Sequence, residues 1–575
     1  MILIFNNANN DRFIEISYTQ NIMGISIHAV LFSFIGSHKI LFIFFFLNTL
    51  ILYPIHHVLI PDYYGKVINS FKDKNKSLFL HYVKILFAIF SISWIFDGLV
   101  LYFQYLIIPN FAEYATGTIF EFIIDNYELD FENIHIGEIL SKIIKLPTVL
   151  FDYLDVFRVE FLKEFFVLIA AFYHYSTVSV LALCAYSLFL VVNYVFIYFI
   201  FKRFIKIDLK MNKTQDEMYE YLVDCFNNMV SIYIFNQQNK EKEFFISDSF
   251  KIYKNHLSDS ILLYIKANSF WAIITILLFI VMNTVIYKAY KDKKINSEKL
   301  VSSFIITFSI IRLYEASQRS SRKLASVYSQ IKDAEIYFNE ISDTNKSMKN
   351  KETTFVNGDI VTSGVYHKYG NKFVLENVSV RIKKGEKVAF VGEIGSGKTT
   401  IVKLIMGFQP LVMGEITIGG VSINNVSNKD LRDKIFYIPQ KPKLFNRTLY
   451  ENIVYGLNPP PSKEEVLQLM DDLKIDVKDV FEKKMDELVG VEGNNLSGGQ
   501  RQIVWLIRSI YRPSAILILD EPTSALDPTN KLAMISTIKK LSVGKTVIIV
   551  SHDDIDPAFR KISMKDGRVI NSSFF

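Results

Sequence analysis

Nine consecutive residues, Gly392-Glu-Ile-Gly-Ser-Gly-Lys398-Thr399-Thr400, combine the types and spacing needed to hold a polyphosphate. They follow an apolar strand-like run, Lys387 to Val391, and open into a helical-looking run, Ile401 to Met406. Strand, glycine turn and a Lys-Thr pair at a helix start make a phosphate-cradling P-loop. Gly392, Gly395 and Gly397, with Ser396 between them, let backbone N–H groups close round a β-phosphate without a Cβ in the way. Lys398 is expected to reach the β- and γ-phosphate oxygens. The Thr399 hydroxyl, with Thr400 beside it, is expected to ligate Mg²⁺. The implied ligands are ATP and Mg²⁺.

Further along, Ile516-Leu-Ile-Leu519 reads as a fully buried strand ending in two acids, Asp520 and Glu521. Asp520 can hold Mg²⁺ through water, and Glu521 can polarise an attacking water as general base. Another aliphatic run, Thr546 to Val550, ends in Ser551-His552. A neutral imidazole at His552 would suit charge developing on a γ-phosphate. Tyr369, upstream of the P-loop, is placed to stack on an adenine; the plain alternative is a surface tyrosine.

Leu496-Ser-Gly-Gly-Gln500, followed by Arg501-Gln502, resembles the signature of ATP-binding cassette (ABC) ATPases. The resemblance covers roughly 353–575. It takes in Walker A (Gly392–Thr400), the Q-loop Gln440, Walker B (Ile516–Asp520) with Glu521, a D-loop (Ser524-Ala-Leu-Asp527) and the switch His552. It implies that Lys398, Gln440, Glu521 and His552 are catalytic, and that Thr399, Gln440 and Asp520 serve the metal. It also implies a dimer, in which Ser497, Gly498, Gly499 and Gln500 of one copy close on the ATP of the other. A helix N-terminus with small residues presents N–H donors to such a phosphate. Two positions depart from the family pattern. The acid usually found before the signature is displaced to Glu492 in Val489-Gly-Val-Glu-Gly493, which puts a contact to the partner in doubt. Pro522 stands where alanine is common.

The elements that must carry this chemistry follow from composition. The chain has 575 residues, 50% hydrophobic, with mean hydropathy +0.23, and the apolar excess lies ahead of the cassette. Spans of about 20 apolar residues are needed to cross a bilayer. Six stretches read as spans: Ile40–Ile60, Val83–Ile108, Phe161–Val180, Leu181–Phe201, Ile261–Tyr287 and Leu300–Tyr314. The expected fold is an α-helical transmembrane bundle followed by an α/β P-loop domain. Residues 1–38 read as an interfacial helix or a poorly ordered tail. Residues 39–341 form the span domain with two long extensions beyond the membrane, broken near Glu128–His135 and Asn227–Asn239. A polar linker follows at Ser342–Thr354, then the cassette at 355–575.

A net charge of +6 with no basic block argues against nucleic acid. Two cysteines, Cys184 and Cys225, exclude a disulfide framework and read as buried or helical thiols. His56 and His57 read as hydrated packing residues, and Asp97 as an acid facing either a cavity or a neighbouring helix. Lys66, Lys72, Lys74 and Lys76, and the lysines from Lys288 to Lys299, fall in short loops on the side away from the cassette. That runs against the positive-inside bias, and the orientation rests instead on the need for the cassette to meet ATP.

Six spans fused to one cassette resemble an ABC exporter half-transporter. The implied partners are a second copy of the chain, membrane lipids and a small-molecule or lipid substrate. The helix Arg322–Phe338 loosely resembles that of mitochondrial exporters linked to iron–sulfur assembly and glutathione-sulfur compounds. Lipid or multidrug export is the other transport reading, and an ATP-gated channel or regulator on the same fold is a further class. The membrane is that of a mitochondrion-derived organelle or another cellular membrane. Asn283, Arg312 and Gln318 are the candidates for lining a substrate cavity, with helix-packing polar glue as the alternative. Arg312 ranks first, since a cation near a span interior suits an anionic substrate.

Overall fold

The apolar first half satisfies its backbone polar groups with helices alone, as any segment without water to bond must. The structure is a computed structural model that describes residues 26–126, 136–349, 354–475, 477–523, 526, 528–541, 543–552 and 558–572. Two compact units divide the chain between Asp343 and Thr344.

The first unit contains α1 (Ile27–Ser37), α2 (Lys39–Pro54), α3 (Ile60–Lys72), α4 (Lys76–Asn126), α5 (Ile136–Val156), α6 (Lys163–Ser176), α7 (Val180–Asn227), the short α8 (Met229–Ile234) and α9 (Gln238–Phe244), α10 (Phe250–Lys291) and α11 (Ser297–Lys349). Among the described residues, five helical stretches are long and apolar enough to cross a membrane: 39–72, 76–126, 180–227, 238–291 and 297–340. The third expected span, Phe161–Val180, falls mostly on α6, which has only 14 residues and buries Glu164. A turn at 177–179 separates it from α7. One core packs Tyr175, Tyr186, Trp271, Met282, Ile306 and Tyr314 between α6, α7, α10 and α11. Outward-facing rings such as Phe87 and Trp94 are left exposed on α4.

Residues 27–37 are a helix with Ile27, Val30, Leu31 and Phe34 buried, the last packed on Phe111, so this part is no loose tail; residues 1–25 lie outside the described residues. Most of the expected linker is helical, because α11 runs on to Lys349. The break near 227–239 is the α8–α9 pair, whereas that near 128–135 lies outside the described residues. The two thiols lie in α7, Cys184 exposed and Cys225 half-buried.

The second unit contains β1 (Ile360–Tyr369), β2 (Lys372–Ile382), β3 (Lys387–Val391), α12 (Lys398–Ile405), β4 (Met413–Ile418), β5 (Val421–Ser422), α13 (Asn428–Lys434), β6 (Ile435–Ile438), α14 (Leu449–Ile453), α15 (Lys463–Asp472), α16 (Lys478–Lys484), α17 (Gly498–Tyr511), β7 (Ile516–Asp520), α18 (Pro528–Leu541), β8 (Thr546–Ser551), β9 (Arg560–Lys565) and β10 (Arg568–Ser572). One sheet has the order β10-β9-β3-β8-β7-β6, and a smaller antiparallel sheet the order β2-β1-β4-β5. β3, β8, β7 and β6 run parallel, and every residue of β7 and β8 is buried. Parallel strands covered on both faces need such continuous aliphatic runs. The crevice beyond their carboxyl ends is where an open α/β sheet binds ligands.

Candidate functional site

Three parallel strands end together, and each end delivers chemistry: β3 the glycine turn, β7 the two acids, β8 the histidine. At Gly397, φ is +94° and an added Cβ would lie 2.5 Å from Leu375 Cδ2. At Gly392 it would lie 2.1 Å from Met564 O, so the cradle has no room for a side chain at either position. The turn's backbone can therefore present N–H groups to a phosphate at the start of α12, which fits the phosphate chain of ATP. Ser396 and Thr400 are buried beside it, and Gly395 turns with φ +81°.

Lys398 is buried, and its Nζ donates to Gly392 O at 2.8 Å and to Glu393 O at 2.7 Å. Burial lowers its pKa, while Glu521 and Asp520 act the other way. Thr399 Oγ1 donates to Asp520 Oδ1 at 3.1 Å, and Tyr437 OH donates to Asp520 Oδ2 at 3.2 Å. Burial pushes the Asp520 carboxyl above its ordinary range, against those two hydrogen bonds. Among the described residues, no group of three or more His, Cys, Asp or Glu side chains is placed to hold a metal. Mg²⁺ in a phosphate site needs only one or two protein oxygens, and Thr399 with Asp520 fits that requirement.

Glu521 is the hub. Its φ is +47°, a left-handed conformation uncommon outside glycine. Gln440 Nε2 donates to its Oε2 at 2.6 Å, and His552 Nε2 lies 2.6 Å from its Oε1. His552 Nδ1 is 3.1 Å from Gly392 O. Both oxygens are acceptors, so each of these two contacts takes a ring N–H as its donor. Donation from His552 Nε2 to a γ-phosphate thus requires Glu521 to release it. Gln440, exposed, spends its amide N–H₂ on Glu521 and keeps its carbonyl oxygen for a cation. Around one carboxylate the chain brings together an amide, an imidazole, the Thr399–Asp520 pair and the glycine turn.

Tyr369 is 41% exposed at the end of β1, with its hydroxyl donating to Gln409 at 2.8 Å. That tether holds the phenol while leaving ring surface for stacking. Ser497 is exposed and caps α17: its Oγ accepts from Gln500 N, and Gln500 Oε1 accepts from Ser497 N. This capping box fixes the N-terminal turn containing Gly498 and Gly499. Among the described residues, no hydrogen bond or ion pair joins Ser497–Gln500 to the P-loop of the same chain. Glu492 pairs instead with Lys443 at 2.6 Å. Of Ser524 to Asp527, only Leu526 is among the described residues. Sequence reasoning had no pointer to Tyr437, whose hydroxyl on Asp520 could be found only from the pairing of β6 with β7.

The cavity candidates fare differently. Arg312 is exposed on α11. Gln318 is buried, with neither side-chain polar atom bonded among the described residues. Asn283 Nδ2 donates to Phe279 O of its own helix at 2.8 Å. His57 Nδ1 meets Ser309 Oγ at 2.8 Å, tying the π-helical turn 55–59 to α11, and Asp97 is exposed.

Residues 375–524 match the family described as "ABC transporter". Over 205 residues the chain is 35% identical to the transport/processing ATP-binding protein ComA of Streptococcus pneumoniae, covering 35% of this chain and 28% of that protein. Over 379 residues it is 30% identical to the ATP-dependent lipid A-core flippase of Legionella pneumophila, covering 64% of this chain and 63% of the flippase. The chain thus matches less than two thirds of the length of these relatives. A bacterial Atm1-family ABC exporter with ATP bound superposes with TM-score 0.78 at 21% identity, over 94% of this chain and 95% of that one. The fold is that of an ABC exporter.

Proposed function

We propose that this protein, a multi-pass chain of ABC exporter fold with an ABC transporter cassette at 375–524, is an ATP-driven exporter half that works as a dimer. The observation that carries the reading is Glu521, bridged to Gln440 and His552 at 2.6 Å each, beside the Asp520–Thr399 pair. A hydrolytic centre of this kind in the same chain as long apolar helices is suited to coupling hydrolysis to movement in a membrane. Lys398 and the P-loop amides hold and neutralise the phosphates, Thr399, Asp520 and Gln440 hold Mg²⁺, and Glu521 orients water for in-line attack. ATP binding closes two cassettes, the signature turn of one copy on the P-loop of the other, and hydrolysis resets them.

For cargo, the first reading is an anionic glutathione-sulfur compound. It is supported by the resemblance of the helix Arg322–Phe338 to that of the glutathione-linked exporters and by the exposed Arg312 cation on α11. Lipid export is the second reading, favoured by the flippase relative with the longest match given above. The test is ATPase activity of the purified chain in lipid discs, with and without glutathione, its disulfide and its persulfide, against Glu521→Gln as background. Stimulation by the thiol compounds that Arg312→Ala removes is expected. Turnover indifferent to all three sinks the glutathione reading. Turnover no higher than that of Glu521→Gln sinks the ATPase reading of a self-sufficient homodimer.

A further inference from the structure

Three helix-to-helix turns meet at the end of the first unit opposite the point where α11 leaves for the cassette. Lys72 Nζ at the end of α3 donates to Ser297 Oγ at the start of α11, 3.2 Å away. His174 Nε2 near the end of α6 lies 2.9 Å from Ser303 Oγ, whose own proton goes to Lys299 O. With Nε2 as donor, His174 Nδ1 is an acceptor, and Lys299 Nζ donates to it at 3.3 Å. The ammonium of Lys299 is thereby held by a neutral ring rather than by a carboxylate.

Beside this junction lies a shallow cavity, wide open to solvent and of about 790 Å³, lined by Thr177, Tyr290, Lys291, Lys293, Lys294 and Lys299, among others. Among the described residues none of the four lysines forms an ion pair, and the nearby acid Asp62 is bonded to Lys66 at 3.2 Å. The excess is general at this end. The segments 62–84 and 288–299 hold ten lysines against four acids. Short loops on the side away from the cassette are where the orientation bias disfavours lysine. Unneutralised ammonium groups crowding one cavity repel each other unless an anion joins them. Two of the turns join helices of membrane-spanning length and the third leads into one, which sets the cavity at headgroup depth. Lysine recognises phosphate as a point charge, without needing a fixed fork geometry.

We propose that this lysine-lined cavity binds a phosphate-class anion, either the phosphate of a lipid headgroup or a free phosphate compound. The experiment uses the full chain in detergent. Native mass spectrometry reads retention of phosphatidic acid against phosphatidylcholine, and titration calorimetry reads binding of inorganic pyrophosphate. Both are repeated with Lys291→Gln/Lys293→Gln/Lys294→Gln and with the matching three arginine substitutions. The glutamine variant is expected to lose binding by about fivefold per lysine, and the arginine variant to keep it. Loss confined to phosphatidic acid assigns the site to a lipid headgroup, and loss confined to pyrophosphate assigns it to a soluble phosphate. Equal binding of both probes by wild-type and glutamine chains overturns the proposal. Basal ATPase checks that the variant is folded; should the triple variant fail it, Lys294→Gln alone on its exposed turn reads the same loss. Neither binding arm needs turnover, so failure of the export reading leaves this result interpretable.

Discussion

A buried acid with few partners costs stability until a cation arrives, and Asp520 is such a residue. Burial raises its pKa, with hydrogen bonds from Thr399 and Tyr437 opposing. A carboxyl whose folded pKa lies above its unfolded value adds stability that is fully present below the unfolded value, and that stability is lost as pH rises through the folded one. Above the folded pKa the nucleotide-free chain therefore holds a buried charge that the two hydrogen bonds offset only in part. Asp520→Asn removes it while keeping an acceptor for Thr399. The variant is expected to melt at a higher temperature than wild type at neutral pH without nucleotide, the gap closing as the buffer is acidified. It should also lose Mg²⁺-dependent hydrolysis. Thermal unfolding across pH decides: an Asn variant that melts earlier at neutral pH refutes the claim. The same residue marks what was legible from sequence. Four aliphatics followed by two acids announce a strand end with chemistry on it. The left-handed backbone of Glu521, which turns its carboxylate between Gln440 and His552, is set by packing between strands far apart in sequence.

At the scale of elements, Lys142 shows how the long helices are held together beyond the apolar bundle. Its Nζ on α5 reaches Asp333 of α11 at 2.7 Å, Asp216 of α7 at 3.1 Å and Glu138 of its own helix at 3.2 Å. Its side chain is 6% exposed while the acids are 18–24% exposed, so the lysine is committed and the acids keep some water. Lys142→Met keeps the stem but leaves three carboxylates facing one another. The expected cost is about 2 kcal/mol, below that of a fully buried pair because of that water. It should appear as faster hydrogen exchange in α5, and adding Asp333→Asn should recover part of it. Unchanged exchange would show that the cluster does not hold these helices. The sequence pointed to two extensions beyond the membrane, but not to which of their charges meet. The reach of α11 was also hidden, since Ser342–Lys349 has the composition of a linker. A helix already nucleated over some forty residues gains one hydrogen bond for each residue added, so weak formers extend it. At Pro54, whose ring opposes the regular ladder, the chain inserts the π turn 55–59 that carries His56 and His57.

The whole molecule is organised around a surface it does not cover itself. Ser497 is exposed and caps the signature turn, while the P-loop and its acids cluster at the ends of β3, β7 and β8. A two-fold dimer that pairs each signature turn with the other copy's P-loop uses both, and closes without leaving a free patch. That arrangement makes a prediction about which defects complement. Heterodimers are purified through two different tags. In one, the first chain carries Lys398→Ala and the second Ser497→Arg, so both defects fall on the same shared site and the other site is intact. In the other, a single chain carries both substitutions beside a wild-type partner, so each site has one defect. The first is expected to hydrolyse ATP well above the Glu521→Gln background and the second to fall to it. If each chain instead hydrolyses ATP on its own, the second heterodimer keeps the activity of its wild-type chain. The first then keeps only what Ser497→Arg allows, and the order of the two activities inverts.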